Sequence, residues 1–174
     1  MEGLWLETSL LDLYKGSLKA FPRTTKRQNS TDPIKVEHLE WVPFEGVSTL
    51  FVKAMANNEG RKNESIILFK GVKYRNEEKG SVPLISSGGK KVFIEQLSAK
   101  DNDVLVRCTC GDFRWRFNHY NSLDKSLFGR KRSKYEGQGL WMANPMEEAG
   151  LCKHLMKLAK ILGEANLLIL DKNI

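Results

Sequence analysis

The segment RCTCGDF, residues 107–113, places two of the chain's three cysteines one residue apart. The third cysteine lies in GLCKHL, residues 150–155, and is followed by His154. Because successive side chains of a β-strand point to opposite faces, Cys108 and Cys110 at the end of a strand point to the same side. The sequence therefore predicts a strand end that faces the second segment.

The residues before this segment predict an antiparallel sheet. β-branched and aromatic residues alternate between turn signals in residues 47–55, 65–75, 91–98 and 103–110. The intervening segments are rich in Gly, Asn and Asp, which favour tight turns. Four antiparallel strands are expected, and the last of them ends at the paired cysteines.

Helical periodicity occurs in three parts of the chain. In residues 3–20, leucines recur at a spacing that predicts a helix with one apolar face, interrupted at Gly16. A short amphipathic helix is expected near residues 113–128. A C-terminal helix is predicted by apolar residues at steps of four and three, namely Leu151, Leu155, Leu158, Leu162 and Ala165.

Three thiols and one imidazole make a complete ligand set for a structural metal ion: Cys108, Cys110, Cys152 and His154. Structural Zn²⁺ takes four such ligands in tetrahedral geometry, whereas Mg²⁺ and Ca²⁺ prefer oxygen. Side chains two apart on a regular helix diverge, so Cys152 and His154 converge only if Cys152 lies at or just before the first helical turn. Gly150 allows that approach. Zn²⁺ is therefore the expected cofactor, in a structural role.

Other roles for these residues stay open. A buried cysteine is commonly a small core hydrophobe, and the neighbouring thiols of Cys108 and Cys110 can form a redox pair. His119 with Asn121 suggests the metal site of a nuclease, but the sequence offers no acidic or second histidine partner at a suitable spacing. We therefore expect a protein that is not an enzyme.

The two cysteine segments resemble the SWIM-type zinc finger, in which C-x-C at a hairpin end and C-x-H at a helix start bind one ion. CTCGDF matches the first half, including an aromatic residue shortly after the cysteines, and GLCKHL matches the second. The resemblance covers residues 103–162 and implies that the three cysteines and His154 are the zinc ligands. The spacer between the halves is longer than in most members, so residues 114–140 are expected to be an insertion.

The segment ANPMEEAGLCKHL, residues 143–155, also resembles versions of this finger found in tailed-phage proteins of virion or unknown type. That resemblance implies a structural protein that contacts neighbouring proteins in an assembly, located in the host cytoplasm and in the virion. SWIM domains are associated with DNA binding as well as with protein contacts, so the alternative is a nucleic-acid-binding zinc-finger protein with DNA or RNA as its partner.

The charge of the chain favours anionic partners. The net charge is +7 and the isoelectric point is about 9.3, and basic residues alternate with aromatic ones after residue 113, as in surfaces that bind phosphates and stack bases. Six residues are candidate contacts for nucleic acid or an acidic partner: Arg114, Arg116, Arg130, Lys131, Arg132 and Lys134. The same composition also fits a solvated basic surface whose aromatic members anchor the insertion.

These observations combine into one architecture. We expect an α+β fold in which a small antiparallel sheet of about four strands and a C-terminal helix are joined by the zinc site. Residues 1–35 are expected to form an N-terminal helix and a basic arm, because residues 22–35 combine Pro, Ser, Thr and Asn with Lys and Arg. Residues 36–174 are expected to form a single zinc-binding domain with the insertion at 114–140.

The sequence favours an intracellular protein without a membrane partner. No stretch approaches the apolar length that a membrane span needs, and the N-terminal residues lack the pattern of a signal peptide. Few cysteines in a chain of this length suit a reducing compartment.

Overall fold

The computed structural model describes residues 7–22, 34–58, 60–136 and 144–172, and within them the fold is α+β. The helices are α1 (Leu10–Ala20), α2 (Asn118–Leu123) and α3 (Lys153–Glu164). The strands are β1 (Lys35–Phe44), β2 (Thr49–Asn58), β3 (Arg61–Phe69), β4 (Tyr74–Arg75), β5 (Val82–Ile85), β6 (Lys91–Ile94), β7 (Leu97–Ser98), β8 (Val104–Cys108) and β9 (Leu168–Ile169). A π-helical turn, Phe113–Phe117, leads into α2. The expected α+β class with a C-terminal helix is confirmed.

The central sheet has four antiparallel strands in the order β1-β2-β3-β8. The number of strands is as expected, but their membership differs. The fourth strand is β1, in which no side chain is buried and apolar residues do not alternate regularly with polar ones. The segment expected at 91–98 instead provides β6, the middle strand of a second sheet ordered β4-β6-β5, and β7, which pairs in parallel with β9.

The inner face of the central sheet forms the core with α1 and α3. Its buried side chains alternate along the strands, as a half-buried antiparallel sheet requires. On β8 they are Val104, Val106 and Cys108, at every second position. The register that buries the two valines therefore also turns the sulfur of Cys108 inward.

Helix α1 belongs to the same core. It begins with a capping box in which Ser9 accepts from the Asp12 backbone and the Asp12 carboxylate accepts in return. The predicted interruption at Gly16 is wrong, because the helix runs through this residue to Ala20. Gly16 is instead a contact point, since an added Cβ would lie 2.2 Å from the carbonyl oxygen of Ala149.

The basic arm and the insertion are described in part. Residues 23–33 and 137–143 lie outside the described residues, and most of the expected basic linker falls in the first of these gaps, so the boundary at residue 35 stays a prediction. The helix expected near 113–128 ends at Leu123, because the chain then turns through Lys125 and residues 126–128 run beside β8. There the N–H of Phe128 donates to the carbonyl of Val106 at 2.9 Å.

Candidate metal centre

The four side chains expected to bind zinc meet in one cluster. The ligand atoms of Cys108, Cys110, Cys152 and His154 all lie within 4.8 Å of one another, and all four residues are buried. They come from the end of β8, the turn that follows it, and the start of α3. The cluster therefore joins the sheet to the C-terminal helix.

Strand β3 and the turn after β8 fix the first two thiols. Cys108 pairs in the sheet with Ser65, whose hydroxyl donates to the Cys108 sulfur at 3.5 Å. Thr109 points outward and exchanges hydrogen bonds with the backbone of Glu64, at 2.9 and 3.0 Å, which extends the pairing past the strand end. Two residues after Cys108, the sulfur of Cys110 accepts from the backbone N–H of Phe113 at 3.3 Å. Such donors stabilise sulfur in its charged form and orient it.

The start of α3 places the other two ligands. Cys152 is the N-cap residue, with an extended backbone (φ −78°, ψ 169°), and His154 lies in the first turn. The prediction that Cys152 lies just before the first turn is confirmed. The Cys152 side chain makes no hydrogen bond to the N–H groups of the first helical turn, so its sulfur is left to the cluster.

The loop that precedes Cys152 is held by three buried polar side chains that the sequence analysis missed as positioning residues. The Asn121 amide donates to the Gly150 carbonyl at 3.0 Å and accepts from the Gly150 N–H at 2.9 Å. The Ser17 hydroxyl accepts from the N–H of Leu151 at 2.6 Å. Asn144 bonds the carbonyl of Glu148 at 2.6 Å. These bonds connect α1 and α2 to the ligand loop.

No match is found for this chain among known protein families, curated proteins or solved structures.

The ligand atoms, all within 4.8 Å of one another, lie close to the spacing that a tetrahedral zinc ion requires. Ligands at about 2.0 to 2.3 Å from a tetrahedral ion lie about 3.5 to 3.8 Å from one another, and His154 Nδ1 lies 3.8 Å from Cys108 Sγ. The other ring nitrogen, Nε2, is buried and finds no hydrogen-bond partner among the described residues. Three sulfurs and one imidazole also match the preference of Zn²⁺ for soft and borderline donors. The residues therefore fit the ion that the sequence predicts.

In the absence of a metal, the three thiols share negative charge unequally. Hydrogen bonds from the Cys110 and Cys152 thiols lower the pKa of the Cys108 thiol well below its usual range, against the effect of burial. The hydrogen bond to Cys108 raises the pKa of Cys110 to about 12. Complete burial, together with the same sulfurs, raises the pKa of Cys152 well above its usual value. These directions favour a thiolate at Cys108 and protonated thiols at Cys110 and Cys152 in the metal-free cluster.

We expect zinc binding to release about two protons, from Cys110 and Cys152, because a metal-bound cysteine is a thiolate. Because the pKa values of both thiols are raised, we expect the apparent zinc affinity to fall as the pH falls, by roughly 100-fold per pH unit for two protons. Calorimetric titrations of the metal-free chain in buffers of different ionisation enthalpy measure the number of protons released. Circular dichroism of the same sample serves as the control for folding, and release of fewer than one proton per zinc contradicts this assignment of charge.

The histidine considered for a nuclease site lies outside the cluster. His119 Nδ1 is 3.4 Å from the carbonyl oxygen of Arg132, and its ring packs edge-on against Tyr120. Asn121, its expected partner, is fully buried and bonds both backbone groups of Gly150. These two side chains therefore hold the insertion and the ligand loop.

The six basic candidate residues separate into two groups. Arg116 is largely buried, bonds Asp112 at 2.8 Å and places its guanidinium 4.8 Å from the ring centre of Phe21. Arg114 extends toward Trp115. The remaining four, Arg130, Lys131, Arg132 and Lys134, are exposed and line one cavity of about 510 Å³ with Trp115. In the part of the chain that is described, no helix has the length and apolar character needed to cross a bilayer.

Proposed function

We propose that this chain is a non-enzymatic zinc-binding protein in which one ion fixes the C-terminal helix to the central sheet. The observation that carries the proposal is the buried cluster of three sulfurs and one imidazole within 4.8 Å. Four protein ligands fill the coordination shell of a tetrahedral zinc ion, which leaves no position for a substrate or a reactive water. An ion in such a site stabilises the fold and does not act on a substrate.

We assign the site to the SWIM type and the protein to the tailed-phage virion versions of that finger. The C-x-C at a strand end and the C-x-H at a helix start support the assignment, as does the likeness of residues 143–155. On this proposal the partners are neighbouring proteins of an assembly, and the zinc-bound fold presents the surface that they contact.

Elemental analysis of the purified protein tests the zinc proposal. We expect about one zinc per chain, and we expect Cys152→Ser and His154→Ala to lose it. His38→Ala is the matched control, because His38 is an exposed imidazole on β1 outside the cluster. A wild-type protein that carries no zinc after purification without chelators, and binds none on titration, rules the proposal out.

A second candidate function, binding of nucleic acid, is supported by the cavity of about 510 Å³ beside Trp115. Its lining carries five cationic side chains, Arg107, Arg130, Lys131, Arg132 and Lys134, against one acidic residue, Glu136. Cations that neutralise phosphates release counterions, so binding must weaken steeply as salt is added. The slope of the binding constant against salt concentration, and its reduction in Lys131→Gln, tests this function.

A further inference from the structure

An exposed tryptophan lies at the centre of the basic insertion. Trp115 belongs to the π-helical turn that follows the cysteine segment, and 42% of its surface is exposed, whereas Phe113 and Phe117 of the same turn are buried. Tryptophan is usually among the more buried residues, and π-helical turns are frequent at functional sites. We call the cavity lined by Arg107, Trp115 and residues 130–136 the Trp115 groove.

The Trp115 ring borders two cavities. The Trp115 groove, of about 510 Å³, lies on one side, and a smaller cavity of about 180 Å³ is lined by Trp115, Tyr120, Lys134 and Tyr135 among others. Tyr135 contacts Trp115 with ring centres 5.5 Å apart and planes inclined by 58°. Trp115 and Tyr135 thus line both cavities, where an aromatic ring is a surface on which a planar ligand can stack.

Cationic side chains lie close to the Trp115 ring. The guanidinium carbons of Arg114 and Arg132 lie 5.9 and 5.8 Å from the Trp115 ring centre. Within the described ranges, no ion pair joins Arg114, Arg130, Lys131 or Arg132 to an acidic side chain. Their charge is therefore available to an anionic ligand, and phosphates are the anions that arginine binds best.

The segment that carries the cations is held in place before any ligand arrives. The N–H of Arg132 donates to the side-chain oxygen of Asn118 at 2.7 Å, and the guanidinium of Arg107 donates to the carbonyl of Arg130 at 2.9 Å. Lys134 forms an ion pair with Glu147 at 3.0 Å. A groove fixed in this way loses less conformational entropy when a ligand binds.

We propose that the Trp115 groove binds single-stranded nucleic acid, with a base stacked on Trp115 and phosphates on Arg130, Lys131 and Arg132. This inference rests on the second proposed function and deepens it. A duplex offers phosphates but keeps the faces of its bases stacked inside, whereas a single strand offers both. An acidic peptide satisfies the arginines but has no planar group for the exposed indole. The combination of a ring and unpaired cations thus selects the single strand.

Fluorescence anisotropy with labelled oligothymidine of about twelve nucleotides, and with a duplex of the same length, tests the inference. We expect the zinc-loaded full chain to prefer the single strand, and Trp115→Ala and Trp115→Leu to weaken that binding roughly 10- to 100-fold, as loss of one stacked base predicts. Trp115→Phe is expected to retain most of the affinity because it keeps an aromatic face. Trp41→Phe, which replaces a tryptophan of β1 outside the groove, is expected to bind like the wild type.

The outcomes separate the inference from the function on which it rests. If neither oligonucleotide binds at low salt, both the nucleic-acid function and the inference fail. If both bind with a steep salt dependence but with equal affinity, and Trp115→Leu is unaffected, the nucleic-acid function stands and the inference is overturned. If polyglutamate displaces the labelled oligothymidine as effectively as unlabelled oligothymidine does, the inference is also overturned. Zinc content and circular dichroism of each variant establish that a loss of binding is not a loss of folding.

Discussion

Removal of zinc is expected to lower the unfolding temperature of the protein by more than about 10 °C. Structural zinc contributes its binding free energy to folding, because the unfolded chain has no preformed site. A loss of about 5 kcal/mol corresponds to roughly 10 to 20 °C for a chain of this size. The loss is large here because the cluster joins α3 to β8, and without the ion three buried thiols and an imidazole face one another with few other partners.

Thermal unfolding followed by circular dichroism, with and without a zinc chelator, measures this effect. Cys108→Ser is expected to reproduce the chelator's effect and to make the protein insensitive to it. Thr109→Ser is a matched control, because Thr109 lies between the two cysteines, points outward and keeps its hydroxyl in the variant. Unfolding temperatures that are unchanged by both chelator and Cys108→Ser would show that the cluster does not bind a structural metal.

The cluster was predictable from the sequence because its parts follow local rules. Alternation along β8 places Cys108 on the same face as Val104 and Val106. The prediction for Cys152 followed from helix geometry alone, because only a residue at the helix start can share a ligand site with the residue two positions later. Both rules act within a few residues, which is the range over which a single sequence is informative.

The parts that the sequence did not predict depend on contacts between distant residues. β1 has little apolar alternation, because it lies at an edge of the sheet, and its pairing with β2 is made by the backbone. The contact of Ser17 with Leu151 spans α1 and the ligand loop, and nothing near either residue indicates it. The sequence suggested Asn121 only as a partner of His119 in a nuclease site, whereas its buried amide bonds the backbone of Gly150. Positioning residues of this kind are recognised by the burial of a Ser or Asn side chain, which only the tertiary structure shows.

The second large effect on stability is expected for Gly150→Ala, because Gly150 is closely packed. An added Cβ would lie 2.4 Å from Ser17 Oγ and 2.6 Å from Phe117 Cε1, and the backbone of Gly150 does not need the left-handed conformation. The cost of the methyl group is therefore one of space. The loop must shift away from α1 and the π-helical turn, which strains the bonds of Ser17 and Asn121. We expect a loss of about 3 to 5 kcal/mol in the free energy of unfolding, from overpacking and from buried polar groups left without partners.

Urea denaturation of the zinc-loaded protein measures this loss, and Gly46→Ala is the matched control. An added Cβ at Gly46 meets nothing within 4 Å, so this variant is expected to unfold at the wild-type urea concentration. Gly150→Ala is also expected to bind zinc more weakly, because Cys152 follows the shifted residue by two positions. If Gly150→Ala unfolds at the same urea concentration as Gly46→Ala and keeps the wild-type zinc affinity, the loop does not position Cys152. If both losses are found, zinc binding requires the close packing of α1 and the π-helical turn around Gly150. That packing holds the loop that leads into Cys152 and the start of α3.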